Sequence, residues 1–267
     1  VEITFAEKAG TRLHVNAIGI GEGMNAGTIE PLAGTPSLAV GQGQAAARKI
    51  NAQSQAYGFP IFAQLNHPGW SHLKLEDVAR SDELNHFEIN NDGAGKTEEL
   101  SVTERLWDEV LSRRAAQGKP LLYGTATDDT HNYLTPDLWG PGHGWVMVRS
   151  RYLTPENIFK AMQAGDYYSS TGVELRDLNF DGQRLILAIA PKWGERFLTE
   201  FIGQRRGGPA GQVLATFKGA HPAYAFKGDE IYVRARVTSS KMVPAVKGLY
   251  PARPKLAWTQ PYSPATH

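Results

Sequence analysis

Three side chains stand out for where they fall in the chain. His67 lies in Asn66-His67-Pro68-Gly69, directly after the apolar run Ile61-Phe62-Ala63-Gln64-Leu65. Asp129 and His131 lie in Thr127-Asp128-Asp129-Thr130-His131, directly after Leu121-Leu122-Tyr123-Gly124-Thr125-Ala126. Both apolar runs are short and read as strands, so both groups sit just past strand ends, where α/β barrels present their active-site residues. Imidazole nitrogen together with carboxylate oxygen is a donor mixture that divalent ions take. The bland alternative is that an Asp and a His flanking one residue serve as turn formers and loop caps. Asp128 reads either as a residue that orients a ligand or as a plain turn residue. Asn66, and Glu88 and Asn90 in the strand candidate Phe87-Glu88-Ile89-Asn90, are weaker candidates to touch a ligand or substrate, since half of a strand's residues face elsewhere.

Those residues need elements to hold them. Gly43 to Tyr57 is rich in Ala, Gln, Arg and Lys and ends at Gly58, which predicts a helix with a glycine stop. Leu75 to Arg80 predicts a second helix. Ser101-Val102-Thr103-Glu104 has a capping-box pattern, followed by Leu106, Trp107, Val110 and Leu111 at helical spacing. Thr154-Pro155-Glu156 offers an N-cap followed by proline at the first helical position. Repeated alternation of helix and strand predicts a parallel α/β sheet or barrel. After about residue 175 the texture changes to antiparallel-strand signals: Leu185 to Ala190 is extended and apolar, and Ile231 to Val237 alternates strictly after a turn at Lys227-Gly228-Asp229. The expected division is an α/β part over 1–175 and a β-rich appendage over 176–267, with an irregular tail from Pro251 to His267.

Composition removes several function classes. Of 267 residues, 28 are Lys or Arg and 27 Asp or Glu, so no concentrated basic face is available for nucleic acid. No run of ~18 apolar residues predicts a membrane span. Cysteine is absent, which excludes disulfides, thiolate metal sites and cysteine nucleophiles. Ser169-Ser170-Thr171 lacks the Gly-x-Ser-x-Gly elbow of a serine hydrolase. His72, His86, His143, His221 and His267 are expected at the surface or in loops, and Trp70, Trp107 and Trp145 are expected to pack rather than bind substrate. The chain opens as if in mid-strand, without an initiator Met, which leads to the expectation that residues precede it. An extracytoplasmic or periplasmic location would suit the missing cysteines.

The order of these segments carries a resemblance. Asn66-His67-Pro68, Phe87-Glu88-Ile89-Asn90, Leu106-Trp107-Asp108 and Gly124-Thr125-Ala126-Thr127-Asp128-Asp129-Thr130-His131 resemble the PHP (polymerase and histidinol phosphatase-like) superfamily. Gly144-Trp145-Val146-Met147-Val148 and Gly165-Asp166-Tyr167-Tyr168-Ser169-Ser170-Thr171-Gly172-Val173 are similar to its CehA/McbA-like branch. The resemblance implies a distorted (β/α)7 TIM-like barrel holding two or three divalent ions such as zinc, manganese or iron. It maps Glu2 onto a bridging glutamate, His14 onto the histidine downstream of it, His67 onto the Asn-His-Pro histidine, and Asp129 with His131 onto the closing pair. Neither His-x-His nor Thr-Asp-His occurs, and the family places both before Glu2. The expectation is therefore an N-terminal companion fragment of the same protein or a truncated chain, with a degenerate member as the competing explanation.

What the resemblance implies for function is a metal-dependent hydrolase in which Asp129 and His131 also serve catalysis. Its small-molecule substrate would be a phosphate ester, or a carbamate or carboxylic ester as in the CehA/McbA type. A non-catalytic binding protein on a degenerate barrel is the reading from another class.

Overall fold

The computed structural model describes residues 2–6, 12–20, 29–31, 37–79, 83–93, 97–131, 133–134, 140–245 and 251–264. The chain divides into two compact units. The first comprises Val1–Asn90, Glu99–Thr125 and Val148–Tyr167; the second comprises Asn91–Glu98, Ala126–Met147 and Tyr168–His267. The composition change near residue 175 falls shortly after Tyr168. The two earlier segments of the second unit carry no compositional mark.

In the first unit, β1 (Glu2–Ala6) and β2 (Arg12–Ile18) run antiparallel, with Thr4 opposite His14 and Glu2 opposite Asn16. β2 is antiparallel to β3 (Phe62–Leu65), and β3 is parallel to β4 (His86–Asn91). β5 (Tyr123–Thr127) completes the order β1-β2-β3-β4-β5. Four helices belong with these strands among the described residues: α1 (Leu38–Tyr57), α2 (Leu75–Ala79), α3 (Thr97–Ala116) and α4 (Pro155–Gln163).

The expected (β/α)7 barrel is overturned. The described residues form open sheets of five, six and three strands with mixed or antiparallel pairing, and strand outweighs helix. The physical reason lies in β2. A parallel barrel needs a crossover helix between successive strands, but β2 lies between β1 and β3 and is antiparallel to both. Helix and strand do alternate along the chain from β2 through α1, β3, α2, β4 and α3 to β5, but alternation in order did not make every strand pair parallel.

Alternation across this sheet separates two environments. Ile3, Phe5, Leu13, Val15, Ala17, Ala63, Leu65, Phe87 and Ile89 are all buried. Against them pack α1, which contacts β1, β2 and β3, and Trp107 of α3, whose ring lies 6.0 Å from that of Phe87. Helix α1 begins five residues earlier than Gly43, capped by the Ser37 hydroxyl, which accepts from the Val40 N–H at 3.2 Å. Gly41 and Gly43 disguise that first turn in the sequence, yet Gly43 is what lets the helix lie close: a Cβ there would stand 2.2 Å from Leu13 Cδ2. The intervening positions of the strands, including His14, Asn16, Gln64 and Glu88, point to the opposite face.

His86 also departs from expectation. It sits in β4 at 1% exposure, with its ring 4.3 Å from that of Phe62. Its Nε2 lies 2.9 Å from the Met162 carbonyl and so carries the proton, while Nδ1 has no hydrogen-bond partner among the described residues.

In the second unit a six-stranded sheet of order β11-β10-β13-β14-β7-β6 faces a three-stranded sheet of order β12-β9-β8. The strands are β6 (Trp145–Val148), β7 (Tyr167–Ser170), β8 (Leu175–Phe180), β9 (Arg184–Ile189), β10 (Phe197–Arg205), β11 (Gln212–Lys218), β12 (Ala223–Ala225), β13 (Glu230–Val243) and β14 (Arg253–Thr259). Leu185, Leu187 and Ile189 of β9 interlock with Phe197, Phe201, Val233, Ala235 and Val237 in one core. The expected irregular tail is overturned as well: Arg253–Thr259 pairs with both β13 and β7 and buries Ala257 and Trp258. Pro251, Pro254 and Pro261 break up the alternation that would have marked it. No helix among the described residues is long and apolar enough to cross a membrane.

Burial of His86 pushes its pKa down from 6.5 to about 4, only partly opposed by the Met162 hydrogen bond. The folded state therefore resists a proton that the unfolded chain accepts below about pH 6.5. Stability present above that pH is lost as pH falls towards 4, by an amount on the order of 3 kcal/mol. Urea unfolding midpoints measured between pH 7 and pH 4 should fall for the wild type and fall less for His86→Phe. Equal slopes would refute this account.

Candidate metal centre

Glu2, His14 and His67 reach one point from three places in the first unit. Glu2 and His14 stand on adjacent strands, on the face opposite the helices, and His67 begins the turn that follows β3. One ligand atom from each lies within 4.8 Å of the others. His14 Nδ1 comes within 2.8 Å of Glu2 Oε1, yet among the described residues this buried nitrogen has no aligned hydrogen bond. The rings of His14 and His67 meet edge to face at 4.7 Å. Exposure grades from Glu2, which is open to solvent, through His14 to His67, which is buried.

The backbone at His67 is strained to achieve this. Its φ of 25° lies in the left-handed region that residues other than glycine enter at a cost. Pro68 follows it, which further limits the conformations open to His67. The strained peptide is tied down by Glu88, a buried carboxylate whose Oε2 accepts the His67 N–H at 2.7 Å. Ser71 Oγ stands 3.4 Å from His67 Nδ1.

A chain of buried amides joins this support to the ligands. Gln64 Nε2 donates to Glu88 Oε1 at 3.4 Å and to Asn66 Oδ1 at 3.3 Å. Asn66 Nδ2 donates to Glu2 Oε2 at 2.7 Å, and the Asn66 N–H donates to the His14 carbonyl at 3.0 Å. Asn66 thus fixes one oxygen of Glu2 and leaves the other turned to His14. The His14 contact chiefly holds the Glu2 carboxyl below its usual pKa; burial opposes this, while Asn66 and the charges of His14 and His67 assist. Asn90 is buried at 7% exposure, and its Nδ2 has no hydrogen-bond partner among the described residues.

Trp70, expected as packing alone, is 40% exposed and stands 5.7 Å from the His14 ring and 5.0 Å from that of His67. The Arg12 guanidinium lies over its indole at 5.9 Å. Arg12 escaped the sequence reading, although a position two residues before His14 on a strand shares its face.

Asp128, Asp129 and His131 belong to the second unit. His131 Nε2 lies 3.1 Å from Asp129 Oδ1, and Asp129 has a φ of 50°. Asp128 caps a turn: its carboxylate accepts from the N–H groups of Gly142 at 2.8 Å, His143 at 2.7 Å and Gly144 at 2.6 Å. His143, expected as a plain loop histidine, has its Nδ1 3.7 Å from Asp92 Oδ2, and the buried Asp92 also pairs with Arg253. Gly144 could not be replaced cheaply, because a Cβ there would stand 2.5 Å from the Thr127 carbonyl oxygen.

The donor set of the first unit fits a divalent ion on its own chemistry. Two imidazoles and one carboxylate form a known three-ligand set that leaves a coordination position open. His14 Nδ1, a buried nitrogen without an aligned hydrogen bond, is the kind of atom that an ion would satisfy. No protein-family model matches this chain, and no curated protein or solved structure does either.

Asp128 removal supplies a direct check on the turn it holds. In Asp128→Ala, the amides of Gly142, His143 and Gly144 should lose protection in hydrogen–deuterium exchange, because three backbone donors lose the carboxylate that accepts from them. Unchanged protection would mean that other contacts hold the turn.

Proposed function

We propose that this chain is a metal-dependent hydrolase that cleaves phosphate esters. What supports the reading is the convergence of Glu2, His14 and His67, with the buried Nδ1 of His14 left without an aligned hydrogen bond. A divalent ion bound there would polarise a phosphoryl or carbonyl oxygen and lower the pKa of bound water towards neutrality.

The chain's own residues do the rest. Glu2, held ionised, supplies the negative charge of the ligand set, and Asn66 fixes its orientation. His67 is set by a peptide that Glu88 anchors, so the imidazole is delivered by a strained but tied backbone. Asp129 and His131, which the PHP likeness casts in catalysis, pair with each other in the second unit at 3.1 Å. The likeness of Asn66-His67-Pro68 and Thr127 to His131 to PHP motifs supports hydrolysis as the chemistry and phosphate esters as the substrate class.

Metal content measured by plasma mass spectrometry, on protein purified without chelator or metal-affinity chromatography, tests this. The wild type should carry bound zinc, manganese or iron and should hydrolyse p-nitrophenyl phosphate. His14→Ala and His67→Ala should lose both. A metal-free wild type, or hydrolysis untouched by these variants, would overturn the reading. Asn66→Ala, which frees one oxygen of Glu2, should weaken metal affinity roughly ten- to a hundredfold in a competition titration.

A further inference from the structure

Resting on the hydrolase reading, we infer that Arg12, seated on Trp70, is the residue by which the Glu2–His14–His67 site recognises an anionic group, so that phosphate esters are preferred over neutral esters and carbamates. Arg12 and His14 are two residues apart on β2 and share the face that carries the ligands. Trp70 connects them in space: its ring contacts His14, His67 and the Arg12 guanidinium, at 5.7, 5.0 and 5.9 Å. Among the described residues Arg12 has no carboxylate partner; the ring contact is what holds it. An exposed arginine ordinarily wanders or pairs with an acid. This one is steadied over an aromatic face beside two imidazoles and one carboxylate.

The chemistry of that arrangement is specific. A guanidinium within cation–π reach of an indole is attracted to the ring face while its N–H groups remain able to donate elsewhere. Those donors match two oxygens of a phosphate in a parallel pair of charge-assisted hydrogen bonds. A neutral ester offers no charge for Arg12 to meet and gains nothing from it. The assignment concerns substrate binding, and Arg12 acts here as a specificity-determining residue.

The probe is inorganic phosphate, titrated calorimetrically into the full chain loaded with zinc. Arg12→Gln should weaken phosphate binding roughly ten- to a hundredfold with unchanged metal content, and Arg12→Lys should fall between it and the wild type. Trp70→Phe, which weakens the ring contact but keeps the cation, should cost roughly two- to fivefold; it also serves as the test should Arg12→Gln fail to fold. With p-nitrophenyl phosphate, Arg12→Gln should raise KM far more than it lowers kcat, while hydrolysis of neutral p-nitrophenyl acetate stays as in the wild type. Wild-type protein that ignores phosphate would overturn the inference, as would variants that bind it within about twofold of the wild type. Phosphate binding that depends on Arg12 in a chain that hydrolyses neither ester would sink the hydrolase reading and leave this one standing.

Discussion

Leu13 and His14 are neighbours in the chain and point to opposite sides of β2, and the candidate site depends on that separation. On one side, Leu13 and its companions from β1, β3 and β4 are sealed beneath α1 and α3, each large apolar side chain contributing roughly 1.5–3 kcal/mol by leaving water. That burial fixes the register of the strands, because a slip of one residue would turn every apolar side chain outward. Once the register is fixed, the other side is fixed with it. His14 is brought opposite Thr4, Glu2 opposite Asn16, and Asn16 opposite Gln64. The polar face needs no apolar attraction of its own, since it is positioned by the face behind it.

Precision beyond register comes from polar groups removed from water. Gln64, Asn66 and Glu88 are each at most 4% exposed, and a buried polar group that loses its partner costs about 1–3 kcal/mol. Each of these side chains therefore holds its neighbour to a narrow geometry. The line from Glu88 through Gln64 and Asn66 ends on Glu2, while the second oxygen of Glu88 holds the His67 peptide. One buried network thus orients two of the three ligands, and the strain at His67 is offset by the hydrogen bond from its N–H to Glu88.

The second unit uses a related device for a different purpose. Asp128 gathers three successive N–H groups onto one carboxylate, and Gly144 has only the space that a missing side chain leaves beside Thr127. Asp92, buried against Arg253, gives the loop histidine His143 a nearby charge. Asp129 and His131 keep their pairing within the same unit.

The sequence was informative wherever a local rule was enough. Short apolar runs marked β3, β5 and β9, alternation marked the middle of β13, the Thr154-Pro155 pair marked the start of α4, and the positions of His67, Asp129 and His131 just past strands followed from those runs. Those features arise from neighbours a few residues apart. It failed where partners are distant in the chain. The antiparallel place of β2 between β1 and β3, which excludes the barrel, is set by pairing between segments almost fifty residues apart, and β14 acquires its strand only by finding β13 and β7. The same holds for the site. Glu2 and His14 entered through a resemblance and His67 through its place after a strand, and residue type alone could not bring the three together. Trp70 and Arg12 gave no signal, because a tryptophan in a turn and an arginine on a strand have many uses. Their role depends on which side chains the fold sets beside them, and that is decided by packing over long sequence separations, to which local spacing is blind.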